Sequence, residues 1–309
     1  MRDPMPDQPL DWGHPETLYT VLCRPALPKD TPDVMELTRT IWDGEDYVPH
    51  VWADWMADAS GVLAVAEYGP RVVGLGKLTR LGEDEWWMEG LRVHPQYEGR
   101  GIASRLHEYL LGHWQEHCAG VIRLSTASFR APVHHLCART GFCKIAELTI
   151  YRAAALPGEA ASIPLAVDEA DEAYRLASAS QTFPLTAGLL DLGWQWAQVS
   201  VERIRGAAQG GRAWWSQNRL GLLLARDDEE ENALTAQFVA CPLAGLPELL
   251  SDFRRLAAAA GYARAEWLAP LDAGVESALQ AAGYAREWDA SVYVYEKQHP
   301  LYPLVTPVV

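Results

Sequence analysis

Residues 94–110 read HPQYEGRGIASRLHEYL. Immediately before them, EWWMEGLRV (85–93) is apolar and β-prone, and it reads as a strand. Immediately after, Ile102, Leu106, Tyr109, Leu110 and Trp114 recur at helical spacing and form one apolar stripe. Between strand and helix sits a turn that holds Gly99, Arg100 and Gly101. Glycine lets a backbone turn sharply and come close to a ligand. The first amides of the following helix have no intrahelical acceptor, and with the helix dipole they make a place for an anion. The turn lacks the GK[ST] of a P-loop, and Ala103 and Ser104 follow where a dinucleotide fingerprint would need a third glycine. On spacing alone, an anion cradle and a plain turn both remain open.

Working outward, the first half alternates strand and helix. TLYTVLCRPA (17–26) reads as a strand, and the residues after it as a helix with Val34, Leu37 and Ile41 inward. GVLAVAEYGPRVVGLGKLT (61–79) reads as two strands joined at Tyr68-Gly69-Pro70. VIRLSTA (121–127) is a strand, APVHHLCART (131–140) a short helix stopped by Gly141, and CKIAELTIYRA (143–153) a closing strand. A stretch of small residues with Pro and Gly follows. The order then repeats: a helix over 167–180, a hairpin from RAWWSQ and RLGLLLARDD, a strand at LTAQFVAC, a helix over 246–261, a strand at ARAEWLAP, a helix at AGVESALQAAGY and a strand at SVYVYEK. The ends of the two halves align on their GF and GY steps, which indicates an internal duplication too long to be a solenoid repeat. The expected organisation is a tail at 1–16, a first domain at 17–152, a linker at 153–163, a second domain at 164–298 and a tail at 299–309.

Length and composition agree with this. At 309 residues the chain suits two domains of roughly 150 residues. A formal net charge of −15 disfavours nucleic acid as a partner, because that role needs a dense basic surface. No apolar run is long enough to span a bilayer, and the first residues carry no signal-peptide pattern, so no membrane partner and a cytoplasmic location are expected. The five cysteines are scattered without a CxxC, and His134 and His135 are adjacent on a helix, so neither a disulfide framework nor a metal site is expected.

Three segments taken together, VLCRPALPKDTPDVMELT, MEGLRVHPQYEGRGIASRL and GFCKIAE, resemble the GNAT acyltransferase superfamily over roughly residues 17–152. The family pattern Q/R-x-x-G-x-G/A appears here as Glu98-Gly99-Arg100-Gly101-Ile102-Ala103, with glutamate at the first position. The resemblance implies an α/β (α+β) fold of two tandem GNAT-like domains, each a mixed, mostly antiparallel twisted sheet flanked by helices. It implies acetyl-CoA, or a related acyl-CoA, as co-substrate. The pyrophosphate would sit on the amides of Gly99 to Ser104 and the pantetheine arm along Leu91, Arg92 and Val93. Transfer would be direct, to an amine of a small molecule or a protein. The alternative is a non-catalytic acyl-CoA-binding or interaction protein on the same scaffold.

Amine attack needs a proton acceptor. Glu89 is the candidate base; by period two it shares a face with Leu91 and Val93 unless the strand bulges. Many family members protonate the leaving thiolate with a tyrosine four residues before the GF glycine. Cys137 stands there, with His134 one turn earlier to assist, and a small buried structural cysteine is the competing reading. WDGEDYVPHVWADWM (42–56) offers Asp43, Glu45, Asp46 and Tyr47 to a cationic acceptor, with Trp52 and Trp55 as walls or as core. In the second half the place of the cradle reads ACPLAGLPELL (240–250), with Gly245 alone and no neighbouring Arg or Lys. That copy is expected to be degenerate and to pack on the first as a pseudo-dimer, in a protein that is a monomer or a homodimer.

Overall fold

The computed structural model describes residues 20–39 and 41–301. The expected tail at 1–16, and all but the first residues of the tail at 299–309, lie outside them. The elements run in chain order as β1 (Leu22–Pro25), α1 (Thr31–Thr38), α2 (Val48–Ala57), β2 (Val62–Tyr68), β3 (Arg71–Arg80), β4 (Glu85–Val93), α3 (Ile102–His117), β5 (Val121–Ala127), α4 (Ala131–Arg139) and β6 (Cys143–Ala154). The second half follows the same order with β7 (Ile163–Pro164) and α5 (Ala170–Ser178), then a hairpin of β8 (Leu189–Asp191) and β9 (Trp196–Gln198) that has no counterpart in the first half. It continues with α6 (Val201–Gln209), β10 (Ala213–Trp215), β11 (Leu222–Asp228), β12 (Ala233–Ala240), α7 (Leu246–Ala259), β13 (Arg264–Pro270), α8 (Ala273–Ala281), β14 (Ala285–Arg286) and β15 (Val292–Gln298).

The strands of the two halves run together as one mixed sheet, in the order β1-β2-β3-β4-β5-β15-β6-β13-β12-β11-β10-β7, with β14 on β6. The join is reciprocal. β15, the final strand, lies between β5 and β6 of the first half, while β6 lies between β13 and β14 of the second. Each half thus lends a strand to the other. Alternation along β15 explains why the exchange is stable. Val292 and Val294 face a core built with Trp87, Leu148, Leu189, Trp196 and Leu268, drawn from both halves. Tyr293 and Tyr295 face the opposite side, toward α3 and α4.

Two layers of helix sandwich the first half. Val34, Leu37, Val48 and Trp52 of α1 and α2 cover one face of β2 and β3. Ile102, Leu106, Leu110 and Trp114 of α3 cover the other, together with Cys137 of α4. A buried ion network ties the second half to the start of β4. Arg123 meets Glu85 at 3.0 Å and Glu296 at 2.8 Å, and Arg203 of α6 reaches the second Glu85 oxygen at 2.7 Å. Each buried charge therefore has a partner across the join, the condition for such charges to be tolerated.

Candidate functional site

Strand β4 is parallel to β5, but the two pair only through Glu85, Trp86 and Trp87, opposite Val121, Ile122 and Arg123. Beyond that point they part. Among the described residues the β5 side of β4 from Met88 to Val93 has no strand partner, while the other edge stays paired to β3. The open edge runs directly into the glycine turn. Gly99 and Gly101 have φ of +74° and +76°, and Gly101 is the N-cap of α3. A Cβ built on either would meet nothing within 4 Å, so the space over the turn is open. The first amide of this helix to find an acceptor is that of Arg105, on the Gly101 carbonyl at 3.1 Å. Among the described residues the amides of Ile102, Ala103 and Ser104 thus have no backbone acceptor and could receive an anion. Arg100 lies against the rings of Tyr68 and Tyr97, at 5.8 and 5.4 Å from their centroids. The open strand edge and the cradle flank a short turn whose own amides, at His94, Gln96, Tyr97 and Glu98, are already taken up, and the two together suit a long ligand with an anionic end.

The anticipated bulge is present. Opposite β3 the register passes from Lys77↔Glu89 to Leu75↔Arg92, so Gly90 and Leu91 together oppose Gly76. Gly90 takes φ of +64°, and a Cβ there would strike the Trp55 ring at 2.5 Å, so glycine is required on both counts. The bulge separates faces that strict alternation would have merged. Leu91 and Val93 pack toward α3. Glu89 stays on the α1/α2 face, where its Oε1 accepts from Thr79 Oγ1 at 2.5 Å and Gln195 Nε2 lies 3.0 and 2.9 Å from its two oxygens. Burial pushes the Glu89 carboxyl above the usual carboxylate range, against the donors Thr79 and Gln195 and the charge of Lys77. Lys77 is itself fully buried and paired with Asp58.

Gln195 comes from the β8–β9 hairpin of the second half and was not singled out in the sequence. Its two short contacts favour the charged form of Glu89. Gln195→Ala should therefore raise the Glu89 pKa further, because a donor that favours the anion is lost. Were Glu89 to take the proton of an acceptor amine, it would have to be ionised to act, and the acid limb of the kcat/KM profile should then move to higher pH. The loss should be larger at pH 6 than at pH 8; a profile parallel to that of the unsubstituted protein would refute this positioning role.

The loop between α1 and α2 closes the Glu89 face. Trp42, Asp43 and Gly44 have φ of +47°, +57° and +94° in succession. The turn is held by Asp46, which is buried and receives the Arg92 guanidinium in bidentate fashion at 3.1 and 3.2 Å. The same guanidinium lies 4.3 Å from the Trp42 centroid and 5.3 Å from that of Tyr47. Asp46 is thus already neutralised, while Asp43 and Glu45 are exposed. Trp52 is core, its Nε1 donating to Thr31 Oγ1 at 3.0 Å. Trp55 is half-buried against Tyr47, and the second part of this stretch is helix α2 itself.

On the α3/α4 face, Cys137 is completely buried, and burial pushes its thiol up to about 12. The buried structural role fits this position. His134 is held by two groups: its Nε2 lies 3.0 Å from the Ser128 carbonyl and its Nδ1 3.0 Å from the hydroxyl of Tyr295. Glu98 precedes the turn, its amide bonded to the Pro95 carbonyl at 3.2 Å.

The equivalent place in the second half differs at each point. Gly245 has φ of −93°, not left-handed, and Glu248 puts a negative charge in the first turn of α7. Thr182 Oγ1 donates to the Val239 carbonyl at 3.0 Å and accepts from the Cys241 amide at 3.1 Å, so a side chain already occupies the edge of β12. A cavity of about 470 Å³ remains beside it, lined in part by Ser216, Cys241 and Arg255. Asp252 on its wall is taken up by the amides of Ala161 and Ser162 from the segment that joins the halves.

A splayed β4–β5 pair leading to a glycine turn at a helix N-terminus, repeated in outline in the second half, defines a tandem GNAT-like fold. Residues 31–142, about a third of the chain, match the family model described as "Acetyltransferase (GNAT) family". Histidine N-acetyltransferase of Oreochromis niloticus is 30% identical over 82 residues, which is 26% of this chain and 24% of that protein. The enzyme of the same name from Xenopus tropicalis is 28% identical over 87 residues, 28% of this chain and 27% of its own length. The match thus spans about a quarter of these curated relatives. Among solved structures, a GCN5-related N-acetyltransferase from Sphaerobacter thermophilus aligns with a TM-score of 0.61 at 13% identity, covering 90% of this chain and 95% of that one. A glucosamine N-acetyltransferase region of a fungal multi-domain β-N-acetylglucosaminidase aligns at 0.62 and 12% identity, over 90% of this chain and 38% of that one. The fold likeness therefore extends across both halves.

Proposed function

We propose that this protein is an acetyl-CoA-dependent N-acetyltransferase that binds one acyl donor, in its first half, and transfers the acetyl group directly to an amine. The observation that carries this reading is the open β4 edge running into the Gly99–Gly101 turn, with Glu89 held on the opposite face of the same strand. The amides of residues 99–104 would take the pyrophosphate, and the backbone of Leu91, Arg92 and Val93 the pantetheine amides. The acceptor amine would approach from the α1/α2 face and give its proton to Glu89. A free amide of the strand would meet the oxyanion as the tetrahedral carbon forms. The aromatic groups Trp42, Tyr47 and Trp55 beside a carboxylate suit a small cationic amine, and the matched histidine N-acetyltransferases make histidine the first acceptor to try.

We read the chain as two domains, 17–152 and 164–298, joined by 153–163, the second donating β15 and the β8–β9 hairpin to the first. Because one chain supplies both faces of the site, a monomer suffices. Five free cysteines fit a reducing compartment, and we place the protein in the cytoplasm. Among the described residues no helix is long and apolar enough to cross a membrane.

The test is acceptor-dependent release of free thiol from acetyl-CoA across a panel of amino acids, polyamines, amino sugars and N-terminal peptides. Turnover on one of these is expected. Tight acetyl-CoA binding with no turnover on the whole panel would favour a non-catalytic acyl-CoA-binding protein instead.

A further inference from the structure

When an amine displaces the thiolate of a thioester, the sulfur leaves with the electron pair of the broken C–S bond and needs a proton. In the reading above the acyl donor would lie along the open β4 edge and over the first turn of α3, so a proton donor is sought on the α3/α4 side of the sheet. Cys137 is sealed in the core there. His107 is also buried; burial lowers it to about 4, so it is neutral, and it is engaged with Thr140 at 3.0 Å. One hydroxyl on this face is placed differently. Tyr295 pairs across the sheet with Leu124, the first residue of β5 beyond the point where β4 and β5 separate. Its ring packs in the same cluster as Leu124 and Cys137, one strand spacing, about 5 Å, from the strand that lines the gap.

We propose that Tyr295, carried into the first half by the exchanged strand β15, is the proton donor to the leaving thiolate, with His134 as its positioning partner. This rests on the acetyltransferase reading above. The hydrogen-bond chain orients the pair. His134 Nε2 faces a carbonyl and so carries hydrogen; Nδ1 is then the acceptor, and the Tyr295 hydroxyl donates to it at rest. In the transfer, the nitrogen–acyl bond forms and the C–S bond breaks. The sulfur takes the phenolic proton, Glu89 on the other face takes one from the amine, and exchange with water restores both groups with no net gain or loss. The charged and titratable groups around the phenol are Cys137 and His134 on α4, Lys144 on β6 and Tyr293 beside it on β15. Lys144 lies 4.1 Å from the Tyr293 centroid and favours the phenolate as it forms. Burial otherwise holds the phenol above its ordinary range, so it is protonated at neutral pH.

Tyr295→Phe keeps the ring and removes the donor. The expected result is a loss of kcat on the order of 100-fold with the KM for acetyl-CoA little changed. A second readout needs no turnover. By calorimetry at pH 8, the unsubstituted protein should bind CoA more tightly than desulfo-CoA, and Tyr295→Phe should lose that preference. A kcat within about threefold of the unsubstituted value, together with an unchanged preference for CoA, would overturn the assignment. If the unsubstituted protein acetylates no amine, the acetyltransferase reading fails, and the CoA to desulfo-CoA comparison still decides whether Tyr295 meets the sulfur.

Discussion

Glu89→Gln should lower kcat/KM by about 10²- to 10³-fold at pH 8, with acetyl-CoA binding retained. The substitution keeps the shape of the side chain and one oxygen to accept from Thr79 and Gln195, gives up the second acceptor toward Gln195, and removes the ability to take a proton. Because burial raises the Glu89 pKa above the ordinary carboxylate range, the unsubstituted protein should show an acid limb there, with activity rising as pH rises through that value and flat above it. The Gln variant should have no such limb. The two contributions that set this pKa oppose each other: burial penalises the anion, while Thr79, Gln195 and Lys77 favour it. A variant that retained the acid limb, or lost less than tenfold, would show that the amine proton goes elsewhere. Steady-state rates between pH 5.5 and 9 on whichever acceptor is found would decide it.

Gly101→Val should weaken acetyl-CoA binding more than 100-fold while the chain still folds. Two facts separate these effects. The φ of +76° places this residue in the left-handed region, which costs a β-branched residue roughly 1–2 kcal/mol. Yet a Cβ there meets no atom of the protein within 4 Å, so nothing in the fold is struck. The added methyls project instead into the open space above the first amides of α3, where the pyrophosphate would lie. A melting temperature lowered by a few degrees with binding abolished is the expected pair. Calorimetric titration of the unsubstituted protein should give about one site per chain, since the second cleft has its strand edge bonded to Thr182 and an acidic residue in the first turn of α7. Two sites would overturn the reading of the second half as degenerate, and unimpaired binding by Gly101→Val would remove the cradle from the site.

What the sequence determined by itself was the local chemistry of the first half. The strand at 85–93, the helix from 102 and the turn between them were legible because each follows from short-range rules: alternation, helical periodicity and the freedom of glycine at positive φ. The strands at 121–127 and 143–154 and the duplication were legible for the same reason. The three-residue strands β8 and β9 were not, because three residues carry no period to read. Nor was the side of the sheet on which Glu89 stands, since a bulge exists only relative to the neighbouring strand, here through the register of Gly90 and Leu91 against Gly76. Most of all, tertiary structure decided who completes the site. Gln195 reaches Glu89 across 106 positions of chain, and Tyr295 reaches His134 across 161. Both arrive because β15 and the β8–β9 hairpin of the second half pack into the first, and long-range pairing of that kind is set by the packing of whole faces, not by any local pattern.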